Sequence, residues 1–199
     1  MSMYNNRKNL FFKLKQDAPK EWNQYTKHKF VIGLGNGTLK LSSFKDYLLQ
    51  DYIFLQKFIK ILSLSAYKAK NSEDRNRSIN FIIGIKHELS LHENYCKKFN
   101  ISTNKLLKTK EKKANKNYTD YVLKTGVQKS NLELFVALSP CIIGYGEIGY
   151  ALSKVRNWKK SKYASWIKMY ASKEYQNISK ENILYLDKLF TKDNKNSYK

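Results

Sequence analysis

Apolar side chains recur every three to four positions along most of this chain, the spacing of one helical face. The clearest run is Ser42 to Lys70, in which Phe44, Tyr47, Leu48, Asp51, Leu55 and Phe58 keep that spacing. Ser42 or Ser43 is placed to cap it, because a hydroxyl can accept from the first unpaired backbone N–H groups. Before it, residues 6–29 read as a first helix with Leu10, Leu14, Trp22 and Tyr25 among its apolar positions. The glycine-rich GLGNGTL at 33–39 reads as a turn, since no strand precedes it and no Lys-Ser/Thr pair follows to make a phosphate loop. Ser72, followed by Glu73 and Asp74, opens a third helix to Phe99, with the carboxylates at its positive end. A short connection at 100–107 has room for one helical turn, and residues 108–117 read as a lysine-rich loop. Further helices are predicted over 117–128, 131–157, 161–173 and 179–191. No repeat of fixed period is visible. The pattern predicts one all-α bundle, a single domain spanning 1–199.

The most apolar stretch is ALSPCIIGYGEIGYAL, residues 137–152. Leu134, Leu138, Cys141, Tyr145, Ile148 and Leu152 fall at steps of three and four and share one face, which is expected to meet the core. Pro140 lies inside this helix. It lacks an N–H for the carbonyl of Val136 and crowds it, at a cost of about 3 kcal/mol relative to alanine. A kink there opens space beside Cys141. Residues 134–152 approach membrane-spanning length, yet they carry Pro140, Glu147 and three glycines and have no second candidate span beside them. A buried central helix is the prediction, with no membrane partner.

Composition narrows the class. With 2 prolines and 8 glycines the chain has too few turn formers for a β-sandwich or barrel. Two cysteines, Cys96 and Cys141, do not make a disulfide framework, and the N-terminal residues lack the apolar centre of a secretory signal. Free thiols in the cytoplasm are expected. The net charge of +22 raises the question of a polyanionic partner. Of 38 basic residues, however, only Arg7, Arg75, Arg77 and Arg156 are arginine, the side chain favoured for bidentate phosphate and base recognition. The chain is rich in Lys, Asn, Ile and Tyr together, as an AT-rich genome encodes. A solvated surface shaped by coding bias is therefore expected, with nucleic-acid binding as the competing reading.

Candidate chemistry is sparse. Cys141 is either a small buried hydrophobe or a thiolate nucleophile facing a pocket. Asp51 lies on an otherwise apolar face, where a carboxylate must be hydrogen-bonded or hold a ligand. Glu88 and His92 lie one turn apart in HELSLHENY and read as a hydrogen-bonded core pair. Their spacing is one residue too long for a zinc-protease motif, and a metal site would need more ligands, so no metal is expected.

Taken together these pieces resemble one family: TenA, the thiaminase II or aminopyrimidine aminohydrolases, with a haem-oxygenase-like helical fold. The resemblance is carried in order along the chain by HKFVIGLGNGTL, FKDYLLQDYIFL, ELSLHENY, NYTDYV, ALSPCIIGYGEIG and YASWIKMYASKEY. It implies that Cys141 is the catalytic nucleophile, adding as thiolate to an electron-poor carbon of an aminopyrimidine ring. A carboxylic acid assists proton transfer, the amine or thiazole leaves, and water completes the exchange to hydroxymethyl-pyrimidine, salvaging a thiamine precursor. It further implies that Asp51 holds the amino and ring-nitrogen edge of 4-amino-5-aminomethyl-2-methylpyrimidine or thiamine. Tyr118, Tyr145 and Tyr170 line the pocket in that family, and Phe54 stands where the family commonly has a tyrosine. Glu147 follows the family's YxE pattern, and a structural pair is its preferred reading. No cofactor is implied, and a homotetramer is. The family's C-terminal helix, with its acid-base glutamate in an E..FW segment, has no counterpart before Lys199. That departure leaves a weakened enzyme, or a non-catalytic pyrimidine- or partner-binding relative, as the alternative reading.

Overall fold

The computed structural model describes residues 2–197, which are mostly helical, with no strand among them. Eleven α-helices are present among the described residues: α1 (Leu10–Asp17), α2 (Pro19–Thr26), α3 (Lys29–Asn36), α4 (Leu41–Lys68), α5 (Ser72–Lys98), α6 (Thr103–Lys108), α7 (Lys113–Gln128), α8 (Asn131–Ser139), α9 (Tyr145–Leu152), α10 (Ala164–Tyr170) and α11 (Lys173–Ser197). A π-helical segment, Pro140–Gly144, joins α8 to α9. Contacts gather these elements into two compact units, one of residues 1–40 with 135–199 and one of residues 41–134.

The boundaries depart from the sequence pattern in instructive places. The predicted first helix is two, because Pro19 cannot donate to the α1 ladder and instead opens α2 at its first position. Half of the expected glycine turn is helical: Gly33 and Gly35 lie within α3, and the chain reverses only at Gly37, whose φ of 78° is the left-handed region that suits glycine. Asn36 Oδ1 then accepts from the backbone and hydroxyl of Thr38, at 3.1 and 2.7 Å. α4 begins at Leu41, so Ser42 and Ser43 lie in its first turn rather than before it. α5 begins at Ser72 as the pattern predicts, and it is capped by Asn71, whose Oδ1 accepts from the Asp74 amide at 2.9 Å. The lysine-rich loop contracts to 109–112 because α7 already starts at Lys113. The last helix, expected at 179–191, begins at Lys173, and the long helix expected at 131–157 ends at Leu152.

In the second unit α4 is the spine. Phe44, Leu48, Tyr52, Leu55, Phe58, Ile61 and Leu62 are buried at helical spacing and pack on α5, α6 and α7. α5 answers with a stripe that includes buried polar residues: Asp74, Ser78, His92 and Cys96. These are paired rather than stranded; Ser65 and Ser78, for instance, share a buried hydroxyl bond of 2.8 Å. In the first unit α9 is the centre, packed against α3, α10 and α11. Leu138, Ile148 and Leu152 are buried as the face pattern required, while Cys141 and Tyr145 on the same stripe are half-buried. Asn131–Leu152 is the one stretch among the described residues long and apolar enough to cross a membrane, and most of it is buried inside the fold.

Candidate active site

The first unit solves the proline problem with hydrogen bonds and a change of helical pitch. Pro140 cannot serve the Val136 carbonyl, and the Ser139 hydroxyl donates to it instead at 2.8 Å. The chain then widens into the π segment, the kind of local bulge that recurs at functional sites. Tyr25 donates its hydroxyl to the Pro140 carbonyl at 2.8 Å and Tyr175 donates to that of Ile142 at 3.2 Å. Within this frame the Cys141 thiol donates to the Leu138 carbonyl at 3.0 Å. Burial pushes the Tyr25 phenol well above its ordinary range, and the neighbouring Cys141 and Glu147 add to the shift. Tyr25 is therefore a fixed neutral donor at the bulge.

An aromatic wall stands beside the bulge. Tyr145, one turn after Cys141, has its ring 5.0 Å from Tyr170 and 6.0 Å from Trp166; Tyr170 in turn lies 4.4 Å from Trp166 and 4.7 Å from Tyr175. Such tilted and edge-on groupings suit a flat heteroaromatic guest. The wall comes close because α9 lacks side chains where it is approached. A Cβ on Gly149 would sit 2.5 Å from that of Tyr170, and one on Gly146 would strike Ser179 and Tyr4. Glu147 faces elsewhere: it takes Lys15 at 2.8 Å and the Trp22 indole at 3.2 Å, the structural pair its motif anticipated. Lys15 is itself buried, its ammonium 5.3 Å from the Phe11 ring and 5.9 Å from that of Trp22.

The second unit holds the other candidates. Phe54 and Tyr118 stack, with ring centroids 6.1 Å apart and planes 20° apart. The hydroxyl that Phe54 lacks leaves a purely apolar stacking surface. Asp51, one turn earlier on α4, is 11% exposed, and its Oδ2 lies 3.3 Å from Nε2 of His92. That approach is an ion-pair contact rather than an aligned hydrogen bond. His92 Nδ1 lies 3.5 Å from the Cys96 thiol. Burial opposes charge on His92, but Asp51 and Cys96 outweigh it and raise its pKa to about 10. Burial, with the Asp51 charge adding, raises Glu88 to about 7, against a smaller opposing effect of His92. The expected Glu88–His92 pair is thus a larger group centred on Asp51. No trio of ligands able to hold a metal occurs among the described residues.

Cys141, Tyr145 and Tyr170 therefore share the first unit, and Asp51, Phe54 and Tyr118 share the second. Sequence reasoning did not find Tyr25, Tyr175, Lys15 or the His92–Cys96 contact. Only the last had a local signal, since Glu88, His92 and Cys96 stand at successive turns of one helix.

Comparison with known proteins bears on this arrangement. The model of the TENA/THI-4/PQQC family matches residues 16–199. An uncharacterized protein of Haemophilus influenzae is 34% identical over 175 residues, covering 87% of this chain and 81% of that protein. The aminopyrimidine aminohydrolase of Helicobacter pylori is 35% identical over 178 residues, 88% of this chain and 82% of its own. Among solved structures, a TenA family transcription regulator from Silicibacter sp. TM1040 superposes with a TM-score of 0.87 at 34% identity, covering 92% of this chain and 80% of that one. A TenA homologue from P. horikoshii OT3 gives 0.84 at 27% identity, with 90% and 85% covered.

Proposed function

The chain belongs to the TENA/THI-4/PQQC family, and on that premise we propose that it is an aminopyrimidine aminohydrolase acting on 4-amino-5-aminomethyl-2-methylpyrimidine, and on thiamine as a second substrate. The observation that carries the reading is the Pro140–Gly144 bulge, which presents a half-buried thiol beside the Tyr145–Tyr170 wall. Cys141, once deprotonated, adds to an electron-poor ring carbon, forming a C–S bond while the ring takes up the electron pair and a proton. The C–N bond at the exocyclic methylene then breaks and the amine leaves with a proton from a carboxylic acid. Water adds at the methylene carbon, and expulsion of the thiolate restores the aromatic ring as hydroxymethyl-pyrimidine. Asp51 accepts from the amino group and holds the adjoining ring-nitrogen edge. Tyr145, Tyr170, Tyr118 and Phe54 supply flat apolar contact to the ring. The working form is a homo-oligomer, a tetramer in keeping with the family resemblance.

The test is chromatographic product formation from the aminomethyl-pyrimidine. Wild type is expected to yield hydroxymethyl-pyrimidine and Cys141→Ala to lose at least about 10³-fold in kcat, since the nucleophile supplies a path that water alone lacks. Undiminished turnover in Cys141→Ala would remove the thiol from the mechanism. Ligand binding without product in wild type would favour a non-catalytic pyrimidine-binding protein.

A further inference from the structure

We propose that His92 is a positioning residue for Asp51: a buried imidazolium, flanked by Cys96, that lies against Asp51 Oδ2 and keeps the carboxyl turned to present Oδ1 to the amino group of the substrate. The proposal rests on the reading of Asp51 given above. Three observations carry it. His92 Nε2 lies 3.3 Å from Asp51 Oδ2, with the two side chains 7% and 11% exposed. Its Nδ1 lies 3.5 Å from the thiol of Cys96, which is fully buried, while Nε2 makes no hydrogen bond among the described residues and meets Asp51 as an ion-pair contact. Asp51 Oδ1 makes no hydrogen bond among the described residues, and it is the atom left to receive a ligand.

The groups around His92 explain why it is charged. α4 presents Asp51 and the Tyr52 ring, whose centroid is 6.2 Å from that of His92. α5 itself presents Cys96 and Glu88. With Glu88 pushed up toward neutrality, His92 is the cation in the group. The arrangement leaves Asp51 Oδ1 as an acceptor for the amino group of the ligand edge.

The experiment combines an NMR titration of histidine with steady-state kinetics. The chain has 3 histidines, and His28 and His87 are both exposed, so His28→Gln and His87→Gln assign the His92 ring nitrogens by subtraction even if a His92 variant misfolds. Both ring nitrogens of His92 are expected to remain protonated at pH 8 in wild type and one to lose its proton there in Asp51→Asn. A neutral His92 in wild type at pH 8 overturns the proposal. In steady-state kinetics, His92→Gln is expected to raise KM for the aminomethyl-pyrimidine about tenfold while kcat changes by less than about threefold. A fall in kcat with KM unchanged, as a loss of folded protein would give, marks a merely structural residue and also overturns it. If wild type turns over no aminopyrimidine, the functional reading fails, and the titration alone then decides the Asp51–His92 pairing.

Discussion

At the scale of single residues, two ionisable side chains make the protein hold protons it would release on unfolding. Glu88 is raised from 4.5 to about 7 and His92 from 6.5 to about 10. In both cases the folded state binds more protons, so stability falls as pH rises. For Glu88 the loss runs from about pH 4.5 to 7; for His92 it runs from about pH 6.5 to 10. Urea midpoints are therefore expected to decline from pH 6.5 to 10 in wild type and to flatten over that range in His92→Gln. A midpoint that rises over this window would contradict the buried charge. Asp51 was legible in the sequence as an anomaly, a carboxylate on an apolar face, but its partner was not. The two lie 41 positions apart, and no local pattern couples residues on different helices.

At the scale of elements, the Pro140 bulge and the glycines after it work together. The sequence predicted an interrupted helix and a missing partner for Val136; it did not reveal that Ser139 is the replacement or that the interruption is a π segment. The preceding α8 has its own signal, a capping box in which Ser130 N donates to Glu133 at 2.9 Å and Ser130 Oγ accepts in return at 3.5 Å. Gly149→Ala is expected to destabilise by roughly 1–3 kcal/mol, because the new methyl meets the backbone carbonyl carbon of Tyr170 at 2.6 Å, which cannot swing aside. Gly84→Ala is the contrasting case. That site lies within α5, is exposed and has nothing within 4 Å of an added Cβ, so a gain of about 0.5–1 kcal/mol is expected. Denaturant melts of the two variants check both signs together.

At the scale of the whole molecule, charge and exposed apolar area point to different partners. The second unit leaves Ile79 and Ile83 exposed on α5, and Tyr121, Leu123 and Val127 exposed on α7. Apolar side chains in such number fit the proposed oligomer. Light scattering is expected to give a mass about four times 23.5 kDa, and Ile83→Glu to lower it. A monomer at micromolar concentration would remove the oligomer from the reading. The charge of +22 makes the opposite test simple: no retention of DNA or RNA is expected at ~0.15 M salt, where a phosphate-directed surface would still bind.

The sequence by itself determined the helical class, the buried stripes of α4 and α9, and the odd residues Asp51, Pro140 and Cys141. Periodicity and propensity act over one or two turns, and those features are written within that range. Tertiary structure alone decided which carbonyls of the bulge are served by Tyr25 and Tyr175, that Glu147 is taken by Lys15 and Trp22, and that His92 faces Asp51. Each of those joins residues tens of positions apart, and the hydrogen-bonding capacity of a buried polar group specifies only that a partner must exist, not which distant residue supplies it.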